Sequence, residues 1–381
     1  MDDSWDVAVV GAGPAGAAAA LAARRVRPDA RVLLLDRDAF PRDKSCGDGI
    51  APHVGDVLDS LGLPGVLDDH APVWRLTLGY PPGLGGVASG VMARPTRVVP
   101  RQVLDARLVD GAVAAGAVLR RHRVRTVDVR PSGVVLDGAV HARVVVAADG
   151  ASSVVRRGLG LPPNGDGHVA IAIRGYAPVH PDLTLEQRIT LHRGDWPAYA
   201  WSFPIGDGRA NVGYGEVLRG GRTPTRAHLL GRLEQLLPGV SDGAVGWRAH
   251  HLPLSSRRPR QPGGRVLLAG DALSLINPMT GEGIYYAVLS GACAGAAAVR
   301  DAGDAGDAGA AYRRSLRRRL GTHLQHTTVA AQLARSPRVV DAAMRGADRD
   351  PRMFDGLVEL GLGRGLLTPR VLGGLARGLP G

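Results

Sequence analysis

The most restrictive feature of the sequence is a glycine-rich turn that follows an apolar stretch near the amino terminus. WDVAVVGAGPAGAAAALAARR reads as a buried strand, a turn and a helix of small residues, with Gly11, Gly13 and Gly16 in the pattern G-x-G-x-x-G. Gly11 permits the tight turn, Gly13 lets the backbone approach a pyrophosphate, and Gly16 lets the helix pack close to the strand. The helix then begins around Pro14 and Ala15, with free N–H groups facing the phosphates. The pattern predicts a dinucleotide site.

A second apolar stretch, ARVLLLDRD, supplies the context that this pattern needs. It reads as a strand that ends at Asp36, 20 residues after Gly16. At that spacing an acidic side chain can hold the hydroxyl pair of a ribose. We therefore expect Asp36 and the adjacent Arg37 to contact the cofactor. The alternative is a strand, turn and helix that pack closely and bind nothing.

Two later segments decide between the dinucleotides. The strand-like run ARVVVAADG ends at Asp149 and Gly150, and GGRVLLAGD ends at Gly270 and Asp271. An aspartate at the end of such a strand can accept hydrogen bonds from a ribityl hydroxyl. The helix N-terminus that follows can stabilise negative charge on a flavin ring. Its residues are Gly281, Gly283 and Ile284. Three such strand ends predict FAD rather than NAD.

Length and hydropathy limit the class of protein. The chain has 381 residues, of which 45% are hydrophobic, which is enough for two or three domains with a large core. Its longest apolar runs are far shorter than the roughly 20 residues of a membrane span, and no cleavable leader precedes them. We therefore expect a cytoplasmic protein.

Charge and cysteine content exclude further classes. The net charge of +12 comes from scattered arginines, since Lys44 is the only lysine, and aromatic residues make up 4% of the chain. Nucleic-acid binding is not expected because it relies on stacking side chains. The two cysteines, Cys46 and Cys293, form no C-x-x-C pair and supply no ligand cluster, so neither dithiol chemistry nor a metal site is expected.

Several motifs together resemble a known family. GAGPAG, RQVLDARL, AADG and GDALSLINPMTGEGI are shared by the p-hydroxybenzoate hydroxylase-like flavoproteins, whereas FPRDKSCGDGI and YAWSFPIGDGRANVGYG are similar to one branch of that group. Over roughly residues 5–300 the chain resembles the geranylgeranyl reductase family. It is especially similar to actinobacterial members thought to saturate an isoprene unit of menaquinone or a related polyprenyl lipid. The resemblance implies FAD, with Arg101 of the R-x-x-x-D-x-x-L pattern near the pyrophosphate or ribityl chain.

The implied fold is α/β, with a discontinuous Rossmann-type FAD domain, an inserted antiparallel-sheet domain for the substrate and a C-terminal helical region. The predicted ranges are 1–72, 98–165 and 258–310 for the FAD domain, 73–97 and 166–257 for the sheet domain, and 311–381 for the helical region. Within the last range, residues 311–345 look helical and basic, whereas the stretch from Pro351 onward has many apolar residues and few charges. It could cover the substrate channel or touch a membrane surface, so peripheral membrane contact is one expectation.

The segment AYAWSFPIGDGRANVGYG alternates in the manner of a β-hairpin. Tyr199, Trp201 and Phe203 fall on one strand face, GDG turns the chain, and RANVGYG returns as the partner strand. Three aromatic side chains on one face could line an apolar tunnel for an isoprenoid substrate. Alternatively, they fill the core between the sheet and the FAD domain. Ile205 stands where the family often has a lysine after the Phe-Pro pair.

The resemblance also assigns a place to the thiol in KSCGDGI. It puts the loop of Cys46 and Gly47 beside the flavin ring, because glycines allow the backbone to approach. Cys46 would then act in a proton relay near the reacting alkene, and Tyr199 and Trp201 would stabilise developing positive charge with their ring faces. The alternative is that Cys46 packs as a small apolar side chain. We expect that role for Cys293 in SGACAGAAA.

The implied function is FAD-dependent reduction of carbon–carbon double bonds in a prenyl or polyprenyl group, with electrons from an external donor such as NAD(P)H or a ferredoxin-like protein. The main alternative is an FAD-dependent monooxygenase that acts on an apolar natural product, because the cofactor motifs are shared. A flavin halogenase is less favoured, since YAWSFP replaces W-x-W-x-I-P and only Lys44 could serve as its lysine. A flavin-binding or redox-sensing protein without catalysis is the remaining alternative.

Overall fold

Two β-sheets organise the chain, and each is completed by segments that lie far apart in the sequence. The computed structural model describes residues 4–184, 186–195, 197–300 and 307–378. Part of the predicted 258–310 segment, residues 301–306, therefore lies outside the described residues.

The first sheet has a parallel centre. Its order is β6-β2-β1-β9-β8-β7, and the second half of β9 pairs with β15 instead of β8. Pairing is parallel among β6, β2, β1, β9 and β15 and antiparallel for β8 and β7. The apolar runs of β1 and β2 are buried on both faces, as expected for parallel strands covered by helices. The strands are β1 (Ser4–Val10), β2 (Val32–Asp36), β6 (Val118–Arg121), β7 (Val127–Arg130), β8 (Gly133–Leu136), β9 (Val140–Ala147) and β15 (Val266–Leu268).

Helices cover this sheet and begin at its carboxyl edge. They are α1 (Pro14–Val26), α2 (Pro52–Ser60), α3 (Arg101–Ala114), α4 (Val154–Gly158) and α6 (Ile284–Arg300). The small residues of α1 and α6 let the two backbones touch: a Cβ on Gly291 would lie 2.0 Å from the Ala15 carbonyl oxygen, and one on Gly295 would lie 1.9 Å from that of Ala19. Because both helices follow parallel strands, their N-termini open onto the same edge.

The second sheet has eight strands in the order β14-β10-β13-β12-β11-β4-β5-β3. Its pairs are antiparallel except for β11 and β4, which run parallel. Helix α5 (Arg226–Leu236) packs on one face through Leu229 and Leu233. The strands are β3 (Gly49–Ile50), β4 (Val73–Gly79), β5 (Val87–Val98), β10 (Val169–Pro178), β11 (Glu186–Leu191), β12 (Ala198–Pro204), β13 (Arg209–Val217) and β14 (Val245–Pro253).

Among the described residues from 307 to 378 there are five α-helices: α7 (Ala308–Leu316), α8 (Thr322–Leu333), α9 (Pro337–Arg349), α10 (Pro351–Leu362) and α11 (Pro369–Gly378). A π-helical turn at Arg317–Gly321 joins α7 to α8. Helices α9 and α10 pack against the second sheet, where Met344, Ala347 and Phe354 share a buried cluster with Leu76 and Leu191.

The predicted fold class is confirmed: an α/β chain with a Rossmann-type sheet, a second sheet and C-terminal helices. The predicted hairpin is also present, since β12 and β13 pair in antiparallel register. The division into domains at the ranges given above stays a prediction.

Candidate active site

One cavity of about 1040 Å³ lies where the two sheets and the C-terminal helices meet. This volume is at the upper end of ligand sites, which span about 300–1,000 Å³. The polar half is bounded by the carboxyl ends of β1, β2 and β9, the loop of residues 42–49 and the starts of α3 and α6. The apolar half lies between β4, β5 and β11 on one side and α8, α9, α10 and α11 on the other.

A pair of arginines lies above the turn between β1 and α1. Arg42 Nη2 and Arg101 Nη2 are 3.6 and 3.7 Å from the position that a Cβ on Gly13 would take. Asp105 holds both groups, because Arg101 donates to it over 2.6 and 2.8 Å and Arg42 Nη1 is 2.9 Å from its Oδ2. Arg42 Nη2 also lies 3.9 Å from Asp36 Oδ2. Both guanidinium groups nevertheless face the N-terminus of α1, whose free N–H groups add a positive dipole end. This arrangement suits a pyrophosphate.

The other glycines of the motif shape the turn. Gly11 has φ +94°, and a Cβ there would lie 2.4 Å from the Ala148 carbonyl oxygen. A Cβ on Gly16 would lie 1.8 Å from the Gly11 carbonyl oxygen. Gly16 does not line the cavity, whereas Gly11, Pro14 and Ala15 do. Gly16 therefore acts through helix packing, and Gly11 acts through the turn and its close contact with Ala148. Gly13 is the glycine that leaves room for a ligand beneath the two arginines.

The end of β2 carries the acidic residue expected to meet a ribose. Asp36 is buried and lines the cavity, and its carboxylate accepts the Ala12 amide over 2.8 Å and the Asp38 amide over 2.9 Å. These bonds hold the carboxylate at the rim while leaving acceptor capacity for hydroxyl groups. Arg37 also lines the cavity, with a largely exposed side chain.

The end of β9 presents an unused polar atom. Asp149 Oδ2 accepts the amides of Val154 and Val155 over 2.7 and 3.2 Å, whereas its buried Oδ1 has no hydrogen-bond partner among the described residues. Gly150, with φ +80°, turns the chain beside it. A buried carboxylate oxygen without a partner is costly, and a ligand hydroxyl would satisfy it.

The remaining predicted cofactor residues surround the start of α6. Gly270 and Asp271 begin a 3₁₀ turn after β15, and burial raises the pKa of Asp271. Gly281, Gly283 and Ile284 line the cavity at the N-terminus of α6. These residues, the arginine pair and Asp149 Oδ1 together fit FAD. Arg42 and Arg101 would hold the phosphates, and the aspartates at the strand ends would hold hydroxyl groups. Each individual contact with FAD stays a prediction.

The side chains of Tyr199, Trp201 and Phe203 form an aromatic row on β12. This row lies against the thiol loop, which is the loop that carries Cys46 and Gly47. The ring centroids of Tyr199 and Trp201 are 6.0 Å apart, and those of Trp201 and Phe203 are 6.4 Å apart. A Cβ on Gly47 would lie 3.6 Å from Trp201 Nε1 and from Phe203 Cε2. These three rings, Cys46 and Gly47 all line the cavity at the junction of its two halves.

The thiol of Cys46 is a protonated group at neutral pH. Burial and, next, the negative charge of Asp48 raise the pKa of Cys46 to about 11. The thiol therefore carries a proton that it can release only to a strong acceptor, which matches a role in a relay better than a role as a nucleophile.

Three further residues line the cavity that were given no part in the favoured reaction on sequence grounds: Lys44, His250 and Glu282. Lys44 Nζ donates to His250 Nε2 over 2.9 Å, and burial lowers the pKa of Lys44 to about 8 and that of His250 to about 3. Glu282 accepts the Tyr285 amide over 2.8 Å, and burial raises its pKa to about 7. Across the described ranges, no three His, Cys, Asp or Glu side chains converge as a metal site.

The apolar half has no motif in the sequence. Its walls combine strand residues of the second sheet with residues of the C-terminal helices. These two sets are far apart in the sequence, so their contact cannot be predicted from their positions along the chain. The strands contribute Leu76, Leu78, Ala88, Ile189 and Leu191, and the helices contribute Ala343, Met344, Ala347, Phe354, Leu357 and Val371. An elongated apolar ligand would lie here with its end at the aromatic row.

Comparisons with known proteins agree with this site. Residues 4–189 match the family model of an FAD binding domain, which confirms the predicted cofactor. The chain is 34% identical over 318 residues to a menaquinone reductase of Mycobacterium tuberculosis, covering 76% of each protein. It is 33% identical over 326 residues to digeranylgeranylglycerophospholipid reductase 1 of Methanopyrus kandleri, covering 77% of this chain and 80% of that protein.

The fold has a solved counterpart. A geranylgeranyl bacteriochlorophyll reductase-like protein of Thermoplasma acidophilum superimposes with a TM-score of 0.81, at 21% identity, over 98% of this chain and 96% of that one. The alignments to the two reductases extend over 76% and 77% of this chain. The chain therefore belongs to the geranylgeranyl reductase family of FAD-dependent oxidoreductases.

Proposed function

We propose that this protein reduces carbon–carbon double bonds of a prenyl or polyprenyl group. The observation that carries the proposal is the joining of the two halves in one cavity: the FAD residues open through the aromatic row into an apolar passage walled by the second sheet and the C-terminal helices. The names of the relatives, menaquinone reductase and digeranylgeranylglycerophospholipid reductase, support the same substrate class.

The apolar half would bind the prenyl chain and exclude water. Its walls carry aliphatic side chains from β4, β5, β11, α9 and α10, so an isoprenoid gains about 25 cal/mol for each Å² of apolar surface removed from water. Met344 and Phe354 are buried in the same cluster as Leu191 and hold the helices against the sheet. An isolated alkene is thus kept in a dry environment in which a proton is not lost to solvent.

Bound FAD supplies a hydride once an external donor has reduced it. Trp201 and Tyr199 orient the alkene across the ring faces, and Trp201 is fixed because its Nε1 donates to Asn211 Oδ1 over 2.9 Å. The Cys46 thiol lies beside this row and would deliver a proton to the carbon that does not receive the hydride. The thiolate then regains a proton from a neighbouring acid or from water, so one hydride and one proton add across the double bond.

The proposal is tested by anaerobic turnover of a menaquinone or a geranylgeranyl lipid with the FAD-loaded protein. We expect the product to gain two hydrogens in mass spectrometry when dithionite, NADPH or reduced ferredoxin supplies the electrons. The donor that supports turnover is thereby identified among the three. A product that gains one oxygen atom under air, with no reduction under argon, would instead establish the monooxygenase alternative.

We also propose that the C-terminal helices touch an anionic membrane surface, from which a polyprenyl substrate would enter. Leu333 lines the cavity and is 40% exposed, and Leu372 on α11 is 45% exposed. Exposed arginines, Arg335 and Arg370, adjoin these leucines in the chain and complement phosphate headgroups. None of the described helices has both the length and the hydrophobicity to span a bilayer.

Vesicle sedimentation tests this contact. The FAD-loaded protein should bind phosphatidylglycerol vesicles more strongly than phosphatidylcholine vesicles, and the double substitution Leu333→Ser with Leu372→Ser should lower binding severalfold. Val129→Ser is the matched control, because Val129 on β7 is also exposed, at 48%, and does not line the cavity. Equal binding by the double variant and the control would refute the assigned surface.

A further inference from the structure

Asp48 adopts a left-handed backbone conformation, which glycine takes up most readily and which few other residue types tolerate. It has φ +59°, in the left-handed region, and its side chain is fully buried. A non-glycine residue in a sparsely populated region costs about 1–3 kcal/mol, and such residues cluster at functional sites. Glycine precedes and follows this position. A glycine at 48 would remove the strain, so the carboxylate must contribute something that glycine would not.

The carboxylate is bound by three separate segments of the chain. Asp48 Oδ2 accepts Tyr176 Oη over 2.6 Å and Asn211 Nδ2 over 2.8 Å, and Oδ1 accepts the Arg101 amide over 3.3 Å. The Asp48 amide donates to Cys46 Sγ over 3.4 Å. A single residue therefore connects β10, β13, the start of α3 and the thiol.

Asn211 extends this connection to the aromatic row. Its Nδ2 donates to both Asp48 Oδ2 and the Cys46 carbonyl oxygen, each over 2.8 Å, and its Oδ1 accepts Trp201 Nε1 over 2.9 Å. All three of these contacts involve groups next to the junction of the two halves. The Cys46 backbone and the Trp201 ring are consequently connected through one buried amide, which the buried Asp48 carboxylate holds in place.

Charge adds to this geometry. Burial raises the pKa of Asp48 to about 6, against the hydrogen bonds of Tyr176 and Asn211 and the charges of Arg174 and Arg101. Asp48 is thus mainly ionised at neutral pH and above. Groups of both signs face Cys46: ionised Asp48 and Glu282 raise the pKa of the thiol, whereas Arg101 lowers it.

We propose that Asp48 is a positioning residue for the reaction at Cys46: through Asn211 it holds the thiol and the Trp201 ring in one arrangement, and its negative charge keeps the proton on the sulfur. The transfer of that proton to substrate rests on the proposed function. The arrangement and the protonation state of the thiol do not, and they can be measured without turnover.

The test is the pH dependence of Cys46 alkylation by iodoacetamide in the FAD-loaded protein, in a Cys293→Ala background that leaves one thiol. Asp48→Asn keeps the shape and the tolerance of left-handed backbone while removing the charge. We expect the midpoint of alkylation to fall by about one pH unit, so that the rate below the midpoint rises about tenfold. Tyr176→Phe is the matched control: it removes a hydrogen bond and leaves the charge, so the midpoint should stay near that of the Cys293→Ala parent.

Asp48→Gly is the second variant, because glycine adopts φ +59° without strain. It should bind FAD and show the same fall of the midpoint. Asp48→Gly, which also removes the hydrogen bonds to Tyr176 and Asn211, should slow prenyl reduction at saturating substrate, lowering kcat severalfold with little change in KM. An unchanged alkylation midpoint in Asp48→Asn and Asp48→Gly would overturn the electrostatic role. Loss of FAD in both would overturn positioning in favour of a purely structural role.

Failure of the proposed function gives a different pattern. If the midpoint falls as expected but no variant and no parent protein reduces a prenyl lipid, the inference about the thiol stands and the substrate class is wrong. If prenyl reduction proceeds at full rate in Cys46→Ala while the midpoint still falls in Asp48→Asn, the thiol has no part in the reaction and the positioning role of Asp48 is overturned.

Discussion

The two halves of the cavity are built in opposite ways. The polar half is made by short contiguous motifs at strand ends, and its side chains are charged and hydrogen-bonded: Arg42 and Arg101 share Asp105, and Asp149 offers a buried oxygen. The apolar half is made mainly by aliphatic residues of three strands between residues 73 and 191 and of four helices between residues 322 and 378. The polar half binds through groups whose positions are individually specified, and the apolar half through surface area and shape.

Because of this difference, we expect substitutions in the two halves to have different effects on cofactor binding, catalysis and substrate range. Removing or moving a polar group leaves another buried polar group without its partner, which costs about 1–3 kcal/mol. A change in an aliphatic wall mainly alters the length and width of the passage. Substitutions in the polar half should therefore affect the cofactor and the chemistry, whereas those in the apolar half should affect which substrates fit.

The largest effect is expected in the glycine turn. Gly16→Ala would bring a Cβ within 1.8 Å of the Gly11 carbonyl oxygen, so α1 must move away from β1 and the phosphate end is lost. We expect FAD affinity to fall about a hundredfold, or about 2.7 kcal/mol, measured by flavin fluorescence titration. Gly55→Ala is the control, since Gly55 also lies in a helix but no atom is within 4 Å of its Cβ position. Unaltered FAD affinity in Gly16→Ala would contradict this account of the polar half.

The second-largest effect is expected for substitution of Cys46, which lies at the junction of the two halves of the cavity. Cys46→Ala should keep FAD bound but lower single-turnover prenyl reduction by about tenfold or more, the low end of acid–base contributions. Cys46→Ser is the informative companion, because a hydroxyl retains a proton but has a higher pKa than a thiol. Full single-turnover activity in Cys46→Ala would leave the thiol with a packing role only.

A smaller and more selective effect is expected in the apolar half. Ala343→Phe adds a ring to the wall formed by α9, so turnover of a long polyprenyl substrate should fall about fivefold, near the low end of overpacking costs, while a geranyl-length substrate is spared. Asp348→Phe on the same helix is exposed and outside the cavity, and it should leave both rates unchanged. An equal loss with long and short substrates would place Ala343 away from the passage.

The smallest expected effect is on the pH dependence of stability, through the buried carboxyl group of Glu282 in the polar half. Burial raises the pKa of Glu282 to about 7 from 4.5, so the native state binds more protons than the unfolded state between these values and stability falls as pH rises through that window. Glu282→Gln removes this term. The melting temperature of the FAD-loaded protein should fall between pH 5 and pH 7. This fall should be about 2–4 °C smaller in Glu282→Gln than in the wild type.

The control for this measurement has the opposite sign. His53 lowers the pKa of Glu359, which lies outside the cavity, so that carboxylate stabilises the fold above its unfolded pKa and loses this contribution as pH falls. Glu359→Gln should therefore cost stability at pH 7 and little at acid pH. Identical pH profiles for Glu282→Gln and wild type would show that Glu282 ionises as freely as an exposed carboxyl.

The polar half of the cavity and the family can be predicted from short motifs. Gly11, Gly13 and Gly16 stand at fixed spacing because a strand, a tight turn and a helix must meet within a few residues, and Asp36 follows at the length of one strand-helix-strand unit. The pairing of Arg101 with Asp105 is likewise local, since residues four apart share a helix face. Such geometry is encoded in spacing, so it can be predicted before any tertiary contact is known.

The apolar half of the cavity and the hydrogen bonds around Asp48 depend on contacts between distant segments, which no motif records. Leu78, Ile189 and Met344 lie more than 100 residues from one another along the chain, and an aliphatic residue that lines a passage has the same pattern as one that fills a core. Asp48, Tyr176 and Asn211 likewise meet only because the thiol loop crosses the second sheet. The hydrophobic periodicity of a helix or strand predicts which of its faces is buried. It does not predict which other segment packs against that face. Contacts between distant segments are set by how the sheets and helices pack together.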